Sequence, residues 1–284
     1  MDFVIKLILM IVISGVVYVI AMKSHETTSW WVSRLMKLSG KLADIHPFWL
    51  CLGFLVLIFF ELGMIIWLMK VAPWAVKVIY IFSTANIAFV VLSLWMDNRM
   101  GGILGVWWTI LKVLSSIALG VSWIIYPAWF VYNLVGIICG VGFLQLFPSL
   151  KFKSALALGM AIIIYDIVGV YWTDWIILLV KGLSFVPPAV IYIPAALKAS
   201  TAGMSMIGLG DIIIGGMMLL MARRYDATKH AFAGYALGVT LSFALAVLTS
   251  HGVPATMFIV PLMLLFVRHS AKRSQNPAWL ADQK

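Results

Sequence analysis

Apolar runs of about twenty residues recur from one end of the chain to the other, and this repetition constrains the fold more than any single motif. A run of that length crosses the roughly 30 Å hydrocarbon core of a bilayer as one helix, with every backbone N–H and C=O paired inside the run. Apolar residues make up 64% of the 284 and charged ones 11%, against roughly 45–50% and 25% in soluble domains. The chain therefore reads as a polytopic membrane protein of all-α class, a transmembrane helical bundle. Charge, proline and glycine clusters divide it into nine spans, at 3–22, 48–69, 74–95, 103–125, 128–147, 154–180, 203–222, 230–250 and 254–268. The break near Tyr126 and Pro127 rests on the proline and its aromatic neighbours; without it the count is eight. Residues 3–22 read as a retained span, since Asp2 precedes them and no small-residue cleavage site follows.

Lysine and arginine orient the spans. With the N-terminus outside, the inner segments carry Lys23, Arg34, Lys37, Lys41, Arg99, Lys151, Lys153, Arg223, Arg224, Lys229, Arg268, Lys272, Arg273 and Lys284. The outer ones carry only Lys6, Lys70, Lys77, Lys181 and Lys198. The positive-inside rule thus puts the C-terminus in the cytoplasm. The same placement explains the net charge of +10 by topology and anionic lipid, which removes nucleic acid as a partner. Cys51 and Cys139 both fall in apolar runs and suggest neither a disulfide framework nor a metal site.

Three connecting features stand out. Residues 23–47 place Trp30, Trp31, Leu35, Leu38 and Leu42 at near-helical spacing with Arg34, Lys37 and Lys41 between them, which predicts a helix lying on the cytoplasmic surface. Gly136 with Gly140, and Gly234 with Gly238, are small-xxx-small pairs that allow close helix packing. The outer loop 181–202 stays apolar, yet Pro187, Pro188 and Pro194 forbid a continuous helix and Val190, Ile191, Tyr192 and Ile193 favour extended structure. It reads as a lid or as an interfacial loop.

The chemistry lies in two acids. Asp166 sits in Ala161-Ile-Ile-Ile-Tyr-Asp-Ile-Val-Gly and Asp211 in Gly208-Leu-Gly-Asp-Ile-Ile-Ile. A charged side chain at mid-bilayer costs roughly 2.5–3.5 kcal/mol, so an acid there marks a functional position and needs a partner. Helical rise puts each about 12 Å from the outer boundary, one on an outward-running span and one on the next inward-running span. Spacing alone does not show that their faces meet; where they do, two carboxyls a few ångströms apart in low dielectric cannot both ionise, and the pair holds one proton and titrates as a coupled unit. Such a pair suits hydrolysis, with one member as base and the other as acid, and equally suits a proton-coupled transporter. Gly208 and Gly210 strip side chains from the backbone beside Asp211 and loosen the helix start.

Tyr165-Asp166 in one span, Gly208-Leu209-Gly210-Asp211 in the next and Pro254-Ala255 opening the last resemble the three signatures of the presenilin and signal peptide peptidase family of intramembrane aspartyl proteases. A Tyr-Asp pair alone carries nothing; the three in this order are specific. The resemblance is strong over 140–268, while the first five spans match in hydropathy and number. It implies a presenilin-like fold, a single membrane-embedded domain over 1–284 with a five-span scaffold at 1–147, a catalytic part at 148–268 and a short basic cytoplasmic tail at 269–284. It implies Asp166 and Asp211 as the catalytic pair, with Tyr165, Gly208, Leu209, Gly210, Pro254, Ala255 and Thr256 bordering a transmembrane-helix peptide that is unwound before cleavage. No cofactor, metal or obligatory partner subunit is required beyond the lipid bilayer, and a homo-oligomer is left open. The inferred topology is that of the signal peptide peptidase branch, which cleaves type II segments and signal-peptide remnants, in a prokaryotic cell membrane or a eukaryotic endomembrane.

One position departs from the pattern. Where the family has Pro-Ala-Leu, this chain reads Pro254-Ala255-Thr256. The Thr256 hydroxyl is expected to stay unpaired against an apolar substrate or to bond back to a carbonyl one turn earlier, weakening the grip on substrate. Pro254 is expected as the first residue of the last helix, where its missing N–H costs nothing. Among the remaining polar residues, Glu61, Asp174 and His251 read as structural or solvated, and Lys112 as a snorkelling residue or a partner for an acid such as Glu61.

Overall fold

The computed structural model describes residues 8, 11–18, 46–100, 106–125, 128–146, 150–169, 190–193, 205–249 and 253–283. They are helical apart from one short ribbon, so the fold is the expected all-α membrane bundle. A helical stretch at 11–18 lies within the first apolar run. It is followed by α1 (Pro47–Val71), α2 (Pro73–Met100), α3 (Val106–Ile125), α4 (Trp129–Leu146) and α5 (Phe152–Ile167). Strands β1 (Val190–Ile193) and β2 (Ser205–Gly208) precede α6 (Leu209–Arg223), α7 (Thr228–Thr249), α8 (Thr256–Arg273) and α9 (Pro277–Gln283). By length and apolarity α1, the Pro73–Ser93 part of α2, and α7 each suffice to cross a membrane. The surface helix expected over 23–47 falls outside the described residues except for His46 and Pro47, and Pro47 already opens α1.

The chain divides into two compact units. The first comprises 1–37, 65–146 and 182–210. Within it α2 packs on α3 and α4, and α4 on β1. A Cβ on Gly120 of α3 would stand 2.8 Å from the Ile81 carbonyl oxygen and 3.1 Å from Ala85 Cβ, so α2 and α3 touch backbone to backbone. The β-branched run Val190–Ile193 is extended, as its composition favours, and pairs antiparallel with Ser205–Gly208 in the register Val190 to Gly208 and Ile193 to Ser205. The rest of the apolar loop, 181–189 and 194–202, lies outside the described residues, and with it the question of a lid.

The second unit comprises 38–64, 147–181 and 211–284. Its tightest seam joins α7 and α8. A Cβ on Gly238 would meet Ile259 Cα at 2.6 Å, and one on Gly234 would meet Met263 Cα at 2.9 Å, so this glycine pair does what its spacing promised. Gly140 of the other pair faces side chains instead, Leu209 Cδ1 and Val17 Cγ1 in the first unit.

Two boundaries differ from expectation. The run read as one span from 203 is a strand through Gly208 and a helix only from Leu209. Each glycine costs a helix about 1 kcal/mol relative to alanine, and Ser205–Gly208 has a strand partner that satisfies its backbone. Asp211 is therefore the third residue of its helix and not a mid-helix acid. The last run, read as 254–268, is helical over Thr256–Arg273. Hydropathy falls at Arg268, but cations near a helix C-terminus favour its continuation. The expected tail is helical as well, through Arg273 and again in α9.

Candidate active site

Asp166 is the fifteenth of the sixteen residues of α5, part-buried, and the next turn widens to π-type at 168–169. Local π-type widening recurs at functional sites. Across from it, Thr256 opens α8 with 1% of its surface exposed, and its Oγ1 donates a hydrogen bond to Asp166 Oδ2. The start of α8 explains why this hydroxyl is available. Ala255, the residue at the cap, has helical φ and ψ and no capping side chain. The first-turn N–H groups are met by main chain: Met257 to the Pro254 carbonyl at 3.3 Å, Phe258 and Ile259 to that of Ala255 at 3.0 and 2.9 Å. Nothing in that turn asks for the threonine.

Two expectations at this point are corrected. The Thr256 hydroxyl is neither unpaired nor bonded to a carbonyl one turn back, because α8 has no earlier turn to offer one; it turns to α5. Pro254 is not the first helical residue. It lies two positions before Thr256, buried, where its carbonyl closes a tight first turn.

Asp166 and Asp211 are related by helix register. The Phe152 N–H donates to the Tyr225 hydroxyl at 2.9 Å. Seven residues on along α5, a Cβ on Gly159 would lie 3.1 Å from Cε of Met218, which is seven residues back from Tyr225. One further heptad along each chain stand Asp166 and Asp211. Residues seven apart share a helix face, which puts Asp166 on the face of α5 that carries Gly159 and Asp211 on the face of α6 that carries Met218. The two contacts that set this register are made by long side chains, Met218 and Tyr225. The α5 to α8 contact is also antiparallel: Gly159 would meet Val260 Cγ1 at 2.5 Å, and Asp166 meets Thr256, four residues earlier on α8. Asp166, Asp211 and Thr256 all belong to the second unit.

The other residues expected at the site have contacts of their own. The Tyr165 ring packs on α1, 5.9 Å between centroids from Phe59. Gly208 ends β2, paired with Val190. Leu209 is buried, its Cδ1 beside Gly140 of α4. At Gly210 a Cβ would meet nothing within 4 Å. Gly208, Leu209 and Gly210 thus belong to the first unit. Glu61 is exposed on α1 and Lys112 buried on α3, while Asp174 and His251 fall outside the described residues. Among the described residues no three of His, Cys, Asp and Glu gather as a metal site.

A second polar cluster, which hydropathy did not reveal, closes the opposite end of this unit. After α8, Gln275 has φ 49, and the N–H groups of Gln275 and Asn276 return to the carbonyls of Lys272 and Ala271 at 3.4 and 3.3 Å. After α6, Asp226 has φ 54, and the N–H groups of Asp226 and Ala227 return to Arg223 and Ala222 at 3.2 and 3.0 Å. Both are Schellman closures. Asn276 joins them: its Nδ2 donates to Asp226 Oδ2 at 3.0 Å, and its Oδ1 caps α9 by accepting from the N–H groups of Ala278 and Trp279. Trp279 sits edge-on to Phe152 and Tyr225, and the Tyr225 hydroxyl donates to Asp282. Burial, and then that hydrogen bond, pushes the Tyr225 phenol above its ordinary value. Asn276-Pro277 was the available signal: a cap residue followed by proline at the first helical position.

Apolar helices long enough to cross a membrane define an integral membrane protein. The chain belongs to the signal peptide peptidase family, whose profile matches residues 1–276. It is 27% identical over 165 residues to signal peptide peptidase of Homo sapiens, covering 54% of this chain and 43% of that protein. It is 26% identical over 178 residues to the human signal peptide peptidase-like 2A, covering 52% and 34%. Against signal peptide peptidase-like 4 of Oryza sativa subsp. japonica it is 30% identical over 186 residues, covering 56% and 34%. The aligned part is thus less than half the length of these curated relatives, from 34% to 43%.

Proposed function

We propose that the protein is an intramembrane aspartyl endopeptidase, with Asp166 and Asp211 as the catalytic pair. The observation that carries the reading is the shared heptad register: Phe152 with Tyr225, Gly159 with Met218, and then the two acids. Met218 and Tyr225 reach across the space between α5 and α6 with long side chains. Aspartate is shorter, so the same helix separation leaves room between two carboxyls for a water molecule and a peptide bond. In that low-dielectric setting one carboxyl is ionised and one protonated. The ionised member takes a proton from water as the oxygen attacks the amide carbonyl, and the protonated member gives its proton to the carbonyl oxygen.

The substrate is a transmembrane helix whose N-terminus faces the cytoplasm, such as a signal-peptide remnant, entering from lipid. This orientation follows the lysine and arginine distribution, which puts the C-terminus inside. Neither cofactor nor partner subunit takes part. The test is cleavage of a model transmembrane peptide by purified protein in detergent. Wild type cleaves; Asp166→Asn and Asp211→Asn do not, while each melts within a few degrees of wild type. Turnover at the wild-type rate in either variant rules the pair out.

A further inference from the structure

We propose that the ends of α5, α7 and α8 remote from the aspartates bind one anionic diacyl phospholipid, its phosphate on Arg268 and Lys272 and one acyl chain on either side. The inference does not rest on the proteolytic reading. Arg268 and Lys272 are both exposed and stand four residues apart on α8, so their charges lie side by side on one helix face and repel each other. Among the described residues neither side chain forms an ion pair. The acids of this end are engaged elsewhere: Asp282 accepts from Tyr225 and pairs with Arg224 at 3.4 Å, and Asp226 accepts from Asn276. An anion lying across the two cations removes their repulsion.

Two grooves share this pair. One, of about 460 Å³, lies between α7 and α8, where His230, Leu265, Phe266 and His269 line it together with Arg268 and Lys272. The other, of about 410 Å³, lies between α5, α8 and α9, where Lys153, Leu156 and Leu280 join the same two cations. Arg268 and Lys272 are thus the ridge between the grooves, and no described acid lines either one. Each groove continues as an exposed apolar stripe. From Leu156 the exposed residues of α5 run on at Met160 and Ile164, and from His230 those of α7 run on at Leu237, Leu241 and Leu245. Residues four and seven apart share a helix face, so both stripes lead away from the cations and along the spans.

This arrangement selects among ligands. A free phosphate would meet the cations and leave the stripes bare. A lipid with a neutral headgroup would cover the stripes and leave two like charges facing each other. An anionic diacyl phospholipid does both, with charge-assisted hydrogen bonds from Arg268 and Lys272 to its phosphate oxygens. The His230 ring, 3.1 Å from Ser270 Oγ, and the His269 ring stand beside that position in the first groove. The lysine and arginine count puts this end at the cytoplasmic leaflet, whose anionic lipids give it a negative surface potential.

The test uses purified full-length protein in detergent, to which dioleoyl phosphatidylglycerol, phosphatidylcholine with the same chains, or soluble glycerol phosphate is added. Binding is read by native mass spectrometry and by melting temperature, neither of which needs peptidase activity. Wild type is expected to retain one phosphatidylglycerol, about tenfold more tightly than phosphatidylcholine, and to melt several degrees higher with it. Glycerol phosphate should produce no rise. Arg268→Gln/Lys272→Gln should hold phosphatidylglycerol about tenfold more weakly, whereas Arg268→Lys/Lys272→Arg, which keeps both charges, should hold it as wild type does. Lys229→Gln/Arg273→Gln removes the same charge from exposed positions outside both grooves. That variant should lose less than about twofold, because solvent and salt screen charges that do not touch the ligand. Equal retention of the two lipids by wild type overturns the site without recourse to any variant. Equal losses in the two glutamine variants reduce it to diffuse surface charge, and a melting rise with glycerol phosphate alone reduces it to a phosphate site; either result overturns the proposal.

Discussion

The two ends of the helix group formed by α5, α6 and α8 are built in opposite ways. At the end where α9 docks, two Schellman closures, an asparagine cap, an aromatic trio and the Tyr225 to Asp282 bond satisfy the polar groups from several directions at once. At the end that carries the aspartates, α6 starts on glycine-flanked backbone, α8 starts without a capping side chain, and Thr256 donates a side-chain hydrogen bond to Asp166. The difference teaches a division of labour. The first end is held by many partners, while the α7 to α8 glycine seam positions the helix whose first residue, Thr256, meets Asp166.

Breaking the seam should have the largest effect. Gly238→Leu drives side-chain atoms into the Ile259 backbone, which a Cβ alone already meets at 2.6 Å. Overpacking of this kind costs about 1–3 kcal/mol, and moving α8 displaces Thr256 from Asp166. A fall in melting temperature together with near-complete loss of peptide cleavage is the expected outcome. A stable, fully active variant would show that the seam does not set the site.

Trp279→Ala attacks the docked end alone. Loss of a buried tryptophan costs about 3–5 kcal/mol in a well-packed core, but here the cost is confined to α9 and the turns beneath it. Early proteolytic nicking near 274–276 is expected, with turnover per folded molecule reduced only a few-fold. Turnover lost in proportion to stability would mean that the two ends are not separable.

Asn276→Ala should be milder. Removing a cap residue costs about 1 kcal/mol, and the bond to Asp226 goes with it. Hydrogen exchange should rise over Pro277–Gln283 and in the 224–227 turn, and unchanged exchange there would discount the cap.

The smallest effect concerns pH. The folded Tyr225 phenol ionises above its ordinary value of about 10. Its contribution is therefore complete below pH 10 and declines as pH rises above it, because the unfolded phenol ionises first. The α9 attachment should weaken in that alkaline window in wild type and not in Tyr225→Phe. Identical alkaline profiles would remove Tyr225 from the account.

Much of this was legible in the residues, unevenly. Apolar run length located most of the helices, and β-branched Val190–Ile193 announced its strand. Gly234 and Gly238 announced the seam. The start of α6 was misjudged because hydropathy cannot tell an apolar strand from an apolar helix; the pairing of Ser205–Gly208 depends on partners in another segment, Val190–Ile193. The Thr256 bond was hidden for a similar reason. It joins positions ninety residues apart, and depends on α8 beginning at Thr256, which leaves no earlier turn to bond. The docked α9 was passed over because a basic, polar tail reads as solvated, although Asn276-Pro277 marked a helix start.

The central claim is that α5 and α6 run in the register that sets Asp166 level with Asp211. It can be tested directly by cysteine pairs in a Cys51→Ser/Cys139→Ser background, with a protease site placed in the 181–202 loop so that a cross-link is read as two fragments held together. The account predicts that a short bis-thiol linker joins Asp166→Cys with Asp211→Cys, and Gly159→Cys with Met218→Cys, but not Asp166→Cys with Met218→Cys, about 10 Å out of step along the helix. Efficient linking of that mismatched pair, with none between the two aspartate positions, would contradict it.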